Sequence, residues 1–241
     1  MMRRALAVAF VLAAGCAPAH PAFVGGSTTP ARRADLGLGG AARIATGDLR
    51  NADFDAADAS RYRESAEGSG VVPAAFGRYG LERGFEVGLL AAGTLLRLDF
   101  RREHVIDHGS TRPAFIYGLA PYAGYVKGSE GGDGQGHRLG LELPLAYAVE
   151  FGGIYEFWVG GRGAIERVHG EFLHVAGARE DATGIGVRGG AVLGLGLGFR
   201  RVHALVELTG GYERWWVEHG DESLDRGGFV LTPAFALRFR I

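Results

Sequence analysis

Carboxylates and arginines set at alternate positions between apolar residues are the side chains with the most chemistry to offer. The acids are Glu86, Asp99, Glu142, Glu150, Glu156, Glu166, Glu207 and Glu213; the arginines are Arg97, Arg101, Arg162, Arg188 and Arg238. Spaced by two along extended chain, such residues share one face. Gathered in a narrow interior they could filter ions, but the two signs nearly balance, and buried charges need partners. An internal ladder of salt bridges is the expected role, with a narrow or gated channel as the alternative.

The other constellations are weaker. The serines fall outside the alternating runs, so no serine–histidine pair for acyl transfer is assembled. His104, His108 and His203 stand in or beside turns at one end, and His137, His169, His174 and His219 near polar connections at the other. Glu218, His219 and Asp221 could contribute to an acid–histidine site for peptide hydrolysis, but solvated loop charges are the plainer reading. Asn51, Asp53 and Asp55 alternate as calcium ligands do, yet Ala56 replaces the turn glycine and Tyr62 the closing glutamate. The glycine-rich stretch 128–134 lacks the lysine of a phosphate-binding loop. The single cysteine, Cys16, excludes an internal disulfide and a cysteine-based zinc site. No catalytic, cofactor-binding or metal-binding residue is assigned, and the chain is not expected to be an enzyme.

These residues need long extended elements to position them. From Ala34 to Ile241 the pattern has period two, as in Leu139, Leu141, Leu143, Leu145, Tyr147, Val149 and Phe151. Glycine fills 42 of the 241 positions and interrupts every helical periodicity. The spacing predicts ten strands, over 35–45, 71–79, 85–91, 94–103, 112–126, 137–150, 154–167, 184–199, 202–217 and 228–241. Several far exceed the roughly 5 or 6 residues that are typical of soluble sheets. A tilted membrane strand needs about 9–11 residues, and in lipid a sheet must close on itself. The fold expected is an all-β, antiparallel, up-and-down transmembrane β-barrel of about ten strands, with eight or twelve as alternatives. Tyr212, Trp215 and Trp216 fit one interfacial aromatic girdle; Phe151, Tyr155 and Phe199 fit the other. The net charge of −1 leaves no basic footprint for nucleic acid.

The segment Arg78-Tyr79-Gly80-Leu81-Glu82-Arg83-Gly84-Phe85-Glu86-Val87-Gly88 resembles a hairpin of outer-membrane barrels, including transporters related to the phenol-degradation outer-membrane family. Glu82, Arg83 and Gly84 depart from that pattern at the turn. The similarity runs weakly over 36–241. It implies an outer-membrane barrel, carries no catalytic residues, and makes transport an expectation only.

Met1-Met2-Arg3-Arg4 followed by the apolar run Ala5–Ala14 has the layout of an export signal. Leu12-Ala13-Ala14-Gly15-Cys16 resembles a bacterial lipobox, which would place a diacylglycerol on Cys16. Ala17-Pro18-Ala19 offers a rival site for ordinary signal peptidase, with His20 as the new N-terminus. The expected organisation is a signal peptide over 1–15, a flexible periplasmic tether over 16–33 and the barrel over 34–241. Both termini would lie in the periplasm of the bacterial outer membrane, with Cys16 as the lipid anchor. The expected role is structural or minor-transport and porin-like, the partners being outer-membrane lipid and small solutes. A cell-surface lipid- or peptide-cleaving barrel and a soluble exported binding barrel are the alternatives.

Overall fold

A computed structural model of the protein describes residues 20–49, 69–107, 109–127, 134–173, 179–199 and 201–241. Ten strands follow in order: β1 (Ala34–Ala45), β2 (Gly70–Gly80), β3 (Phe85–Ala92), β4 (Leu95–Val105) and β5 (Thr111–Lys127), then β6 (Gly134–Phe151), β7 (Tyr155–Leu173), β8 (Arg179–Phe199), β9 (Val202–His219) and β10 (Glu222–Arg240). Each pairs antiparallel with its neighbours in sequence, and β1 pairs with β10 to close the barrel. The chain is an all-β barrel of ten strands.

Register decides which face meets what. Leu195 is 58 % exposed on the outer wall, whereas Glu142 is 1 % exposed and points inward. Exposed leucines, valines and aromatics cover the outside of every strand. A soluble monomer rarely leaves so large an apolar surface bare, so this belt marks the wall as lipid-facing.

The interior is lined by charges and by glycines. Inward glycines sit directly opposite large inward side chains on the next strand: Gly37 opposite Phe76, Gly140 opposite Tyr122, Gly194 opposite Trp158. A Cβ on Gly194 would lie 2.0 Å from the Trp158 ring, so the missing side chain is the space that the indole fills. Much of the glycine content is therefore a packing requirement of a narrow barrel.

Three features depart from the sequence reading. The stretches 168–183 and 218–227 are largely strand: β7 runs to Leu173, β8 starts at Arg179, and only Gly220 and Asp221 turn between β9 and β10. Backbone pairing needs no apolar side chains, so the ladder continues past the apolar belt, and Gly220 at φ +58 allows the tight turn. Trp215 faces inward and is 2 % exposed, so only Tyr212 and Trp216 of its trio reach the outer surface. The tether expected over 16–33 is also corrected. Residues 20–29 are buried inside the barrel, and only 30–33 lie exposed before β1. Cys16 and the rest of 1–19, the calcium-like stretch 51–62, His108 and His174 lie outside the described residues.

Candidate functional site

The buried N-terminal segment 20–29 is a plug, and the lumen is built to hold its backbone. It enters where Ala31 pairs with Gly80 of β2, and Arg32 donates its N–H to the Gly80 carbonyl at 2.8 Å. A Cβ on Gly80 would lie 2.2 Å from the carbonyl oxygens of Thr29 and Pro30, so glycine is required for this close approach.

Near the barrel end that carries the chain termini, Thr29 donates its N–H and hydroxyl to Glu86 at 2.6 and 2.8 Å. Thr28 donates its hydroxyl to Glu103 at 2.7 Å, and Gly26 its N–H to Glu156 at 2.8 Å. Midway along, one carboxylate gathers three consecutive amides. Ala22 and Phe23 donate to Oε1 of Glu207 at 2.9 and 2.8 Å, and Val24 to Oε2 at 2.9 Å. Phe23 sits at φ +44, a left-handed value that favours glycine. It turns successive N–H groups toward one point, the geometry of a backbone anion nest. The Trp158 indole N–H adds a further bond to Glu207 at 3.1 Å.

Arginines take the plug carbonyls. Arg78 donates to Phe23 at 2.6 Å, Arg101 to Val24 at 2.5 Å, and Arg97 to Pro21 and Ala22 at 2.8 and 3.0 Å. Arg162 donates to the His20 carbonyl at 2.5 Å. Phe23 packs tilted against Phe76, ring centroids 5.5 Å apart, with the Arg78 guanidinium 4.5 Å from the Phe76 centroid. Acidic side chains thus hold amides, and basic side chains hold carbonyls, along nearly the whole segment.

The same charges pair with one another. Arg101 meets Glu86, Arg238 meets Glu156, and Arg162 meets Glu142, each in direct contact. Arg97 binds Asp99 at 2.9 Å, Arg43 binds Glu213 at 2.6 Å, and Arg188 binds Glu166 at 2.6 Å. Tyr122 also donates to Glu166, at 2.8 Å. His20 closes the inner end of the plug: its Nε2 lies 3.2 Å from Arg138 and 3.8 Å from Glu166.

All thirteen sequence-predicted interior charges are on the inward face, and the expected salt-bridge ladder is present among them. Asp35, Arg43, Arg78, Glu103, Arg138 and Arg240 join it. Their parity was the available signal, since each alternates with outward apolar residues. What the spacing could not show is that Glu86, Glu156, Glu207, Arg97, Arg101 and Arg162 of this ladder also hold the plug.

The acid–histidine trio is not brought together. Glu218 is exposed and His219 buried, as neighbours on one strand must be, and Asp221 lies in the turn. His104 is exposed at the opposite end, and His203 is buried, with Nε2 3.2 Å from the Gly153 carbonyl oxygen. Among the described residues no group of three or more histidine, cysteine, aspartate or glutamate side chains could hold a metal ion.

No family model and no curated protein matches the chain. Solved structures do. The outer-membrane protease OmpT from Escherichia coli matches at 7 % identity over 89 % of this chain and 98 % of its own, with a TM-score of 0.42. Neisserial surface protein A matches at 11 % identity over 86 % and 96 %, TM-score 0.34. The CymD monoaromatic hydrocarbon channel matches at 10 % over 88 % and 89 %, TM-score 0.25. Likeness at this level concerns fold alone. One of the matched barrels is a protease, so the barrel fold itself lends no support to the expectation that the chain is not an enzyme.

Proposed function

We propose that the protein is a self-plugged barrel of the bacterial outer membrane, closed at rest, with a structural role and solute passage only when residues 20–29 leave the lumen. One observation carries this reading. Glu207, fixed on the wall, accepts three consecutive plug amides while Arg78, Arg97 and Arg101 bind the carbonyls of the same three residues. An open pore would leave these charges to water. Here they hold protein backbone instead, so the segment is a fitted part of the interior. The short turns at the terminal end and the tall strands at the other support termini in the periplasm, the usual asymmetry of such barrels.

The test is electrical. Purified full-length protein in planar bilayers should show no stepwise conductance, and a variant lacking residues 21–29 should show it. Stepwise conductance by the full-length protein under the same conditions would refute the closed state. A silent deletion variant, shown to be folded by heat-modifiable migration, would remove the plug as the cause of closure.

A further inference from the structure

We infer that the mature chain begins at His20, released by hydrolysis of the Ala19–His20 peptide bond, and that no lipid is attached at Cys16. The argument rests on where the plug places His20. Its carbonyl is held by Arg162, and its ring stands against Tyr122, Arg138 and Glu166. Arg162 and Glu166 lie seven and eleven residues beyond Tyr155, the first residue of β7 at the terminal end of the barrel. With a rise of about 3.3 Å per residue and a tilt of about 40°, each residue climbs about 2.5 Å along the axis. His20 is therefore roughly 18–28 Å inside that end.

Cys16 is four residues before His20. Four residues, fully extended, reach at most about 14 Å. A diacylglycerol on Cys16 could not return to the leaflet at the terminal end, which is farther away than the chain can span. The opposite end is nearer on one side, since β6 begins four residues before Arg138 and β5 ends five residues after Tyr122, about 10–13 Å, so a lipid on Cys16 could emerge only at the end away from the chain termini. Sideways, the closed ladder of ten strands shuts off the bilayer. To anchor the chain, a lipid would have to pass through a lumen lined with arginine and glutamate and leave it on the side opposite the chain termini. Cutting after Ala17-Pro18-Ala19 removes the conflict. Water adds across the amide, leaving the carboxylate on Ala19 and the ammonium on His20, and the freed chain starts inside the barrel. The barrel then closes around its own N-terminus.

The composition supplies a sensitive readout. Lys127 is the only lysine, so a chain beginning at His20 has two amines, one at Lys127 and one inside the lumen. The full gene would be expressed in a Gram-negative host and the protein purified from its outer membranes. Its intact mass should equal that of residues 20–241 without lipid, and Cys16→Ser should leave that mass unchanged. Ala19→Arg should block the cut and accumulate precursor. An amine-reactive label should add once to the folded protein and twice after denaturation. A diacylglycerol-bearing Cys16, any other mature start, or ready labelling of the His20 amine in the folded barrel would overturn the inference. These outcomes are independent of conductance, so the closed-barrel reading stands or falls separately.

Discussion

Replacing Glu207 by alanine should release the plug while leaving the barrel assembled. The carboxylate accepts the amides of Ala22, Phe23 and Val24 at 2.8–2.9 Å and the Trp158 indole at 3.1 Å. Hydrogen bonds to a charged group contribute about 1.5–3 kcal/mol each, and an unpaired buried donor costs about 1–3 kcal/mol. Water entering the vacated space recovers part of this. The expected loss of seating free energy is about 3–6 kcal/mol, on the order of a hundredfold to ten-thousandfold in the seated-to-released ratio. Glu207→Gln keeps one accepting oxygen and should lose less. Hydrogen exchange read by mass spectrometry measures the effect, since exchange of protected amides follows local opening. Ala22, Phe23 and Val24 should exchange faster in Glu207→Ala, and Gly26 and Thr29, bonded to other carboxylates, should accelerate with them. Heat-modifiable migration should persist, because no strand pairing is touched. Unchanged protection across 22–29 would refute the reasoning. Acceleration confined to the three amides would show a lost bond without release of the segment.

Three further outcomes follow from the register. Leu195→Arg places a cation on the lipid face and should destabilise the folded barrel by about 2–4 kcal/mol in urea titrations in liposomes, whereas Leu195→Phe should be tolerated. Gly194→Ala drives a methyl into the Trp158 ring and should cost about 1–3 kcal/mol, with a shift of the tryptophan emission. Lipids brominated near the headgroup should quench Trp216 in a Trp215→Phe variant but not Trp215 in a Trp216→Phe variant. Equal quenching would mean that the β9 faces are misassigned.

The strands were legible because a two-sided wall writes itself into the sequence as alternation. The runs 139–151 and 185–199 put leucines outward and glycines or charges inward, and β6 and β8 occupy them. The far ends of β7, β8 and β10, over 168–173, 179–183 and 222–227, were not legible. Beyond the apolar belt the outward face of a strand is polar, so Glu171, Asp181 and Glu218 read as loop. The candidate site was half visible. Glu142, Glu166 and Glu207 declared themselves by parity, but their shared task did not. A segment such as Pro21-Ala22-Phe23-Val24-Gly25-Gly26 has the composition of a linker, and Ala22 meets Glu207 across 185 positions of sequence. It is held through its own backbone groups, which carry no residue signature. Trp215 and Trp216 show the same limit from the other side: a tandem of aromatics must divide between the two faces, and composition alone does not say which goes where.

The central claim, that residues 20–29 lie in the lumen of the folded protein, is tested most directly by a covalent link. A Cβ on Gly26 would lie 2.5 Å from that of Glu156. Disulfides join Cβ atoms about 3.8 Å apart, so a small shift suffices. With Cys16 replaced by serine, Gly26→Cys combined with Glu156→Cys should form a disulfide in the assembled barrel. Gly26→Cys combined with Glu213→Cys, near the other end of the lumen, should not. The account predicts a single protected, cross-linked species for the first pair, seen as a loss of both free thiols in the folded protein. Two freely alkylated thiols in a folded, heat-modifiable barrel would contradict it.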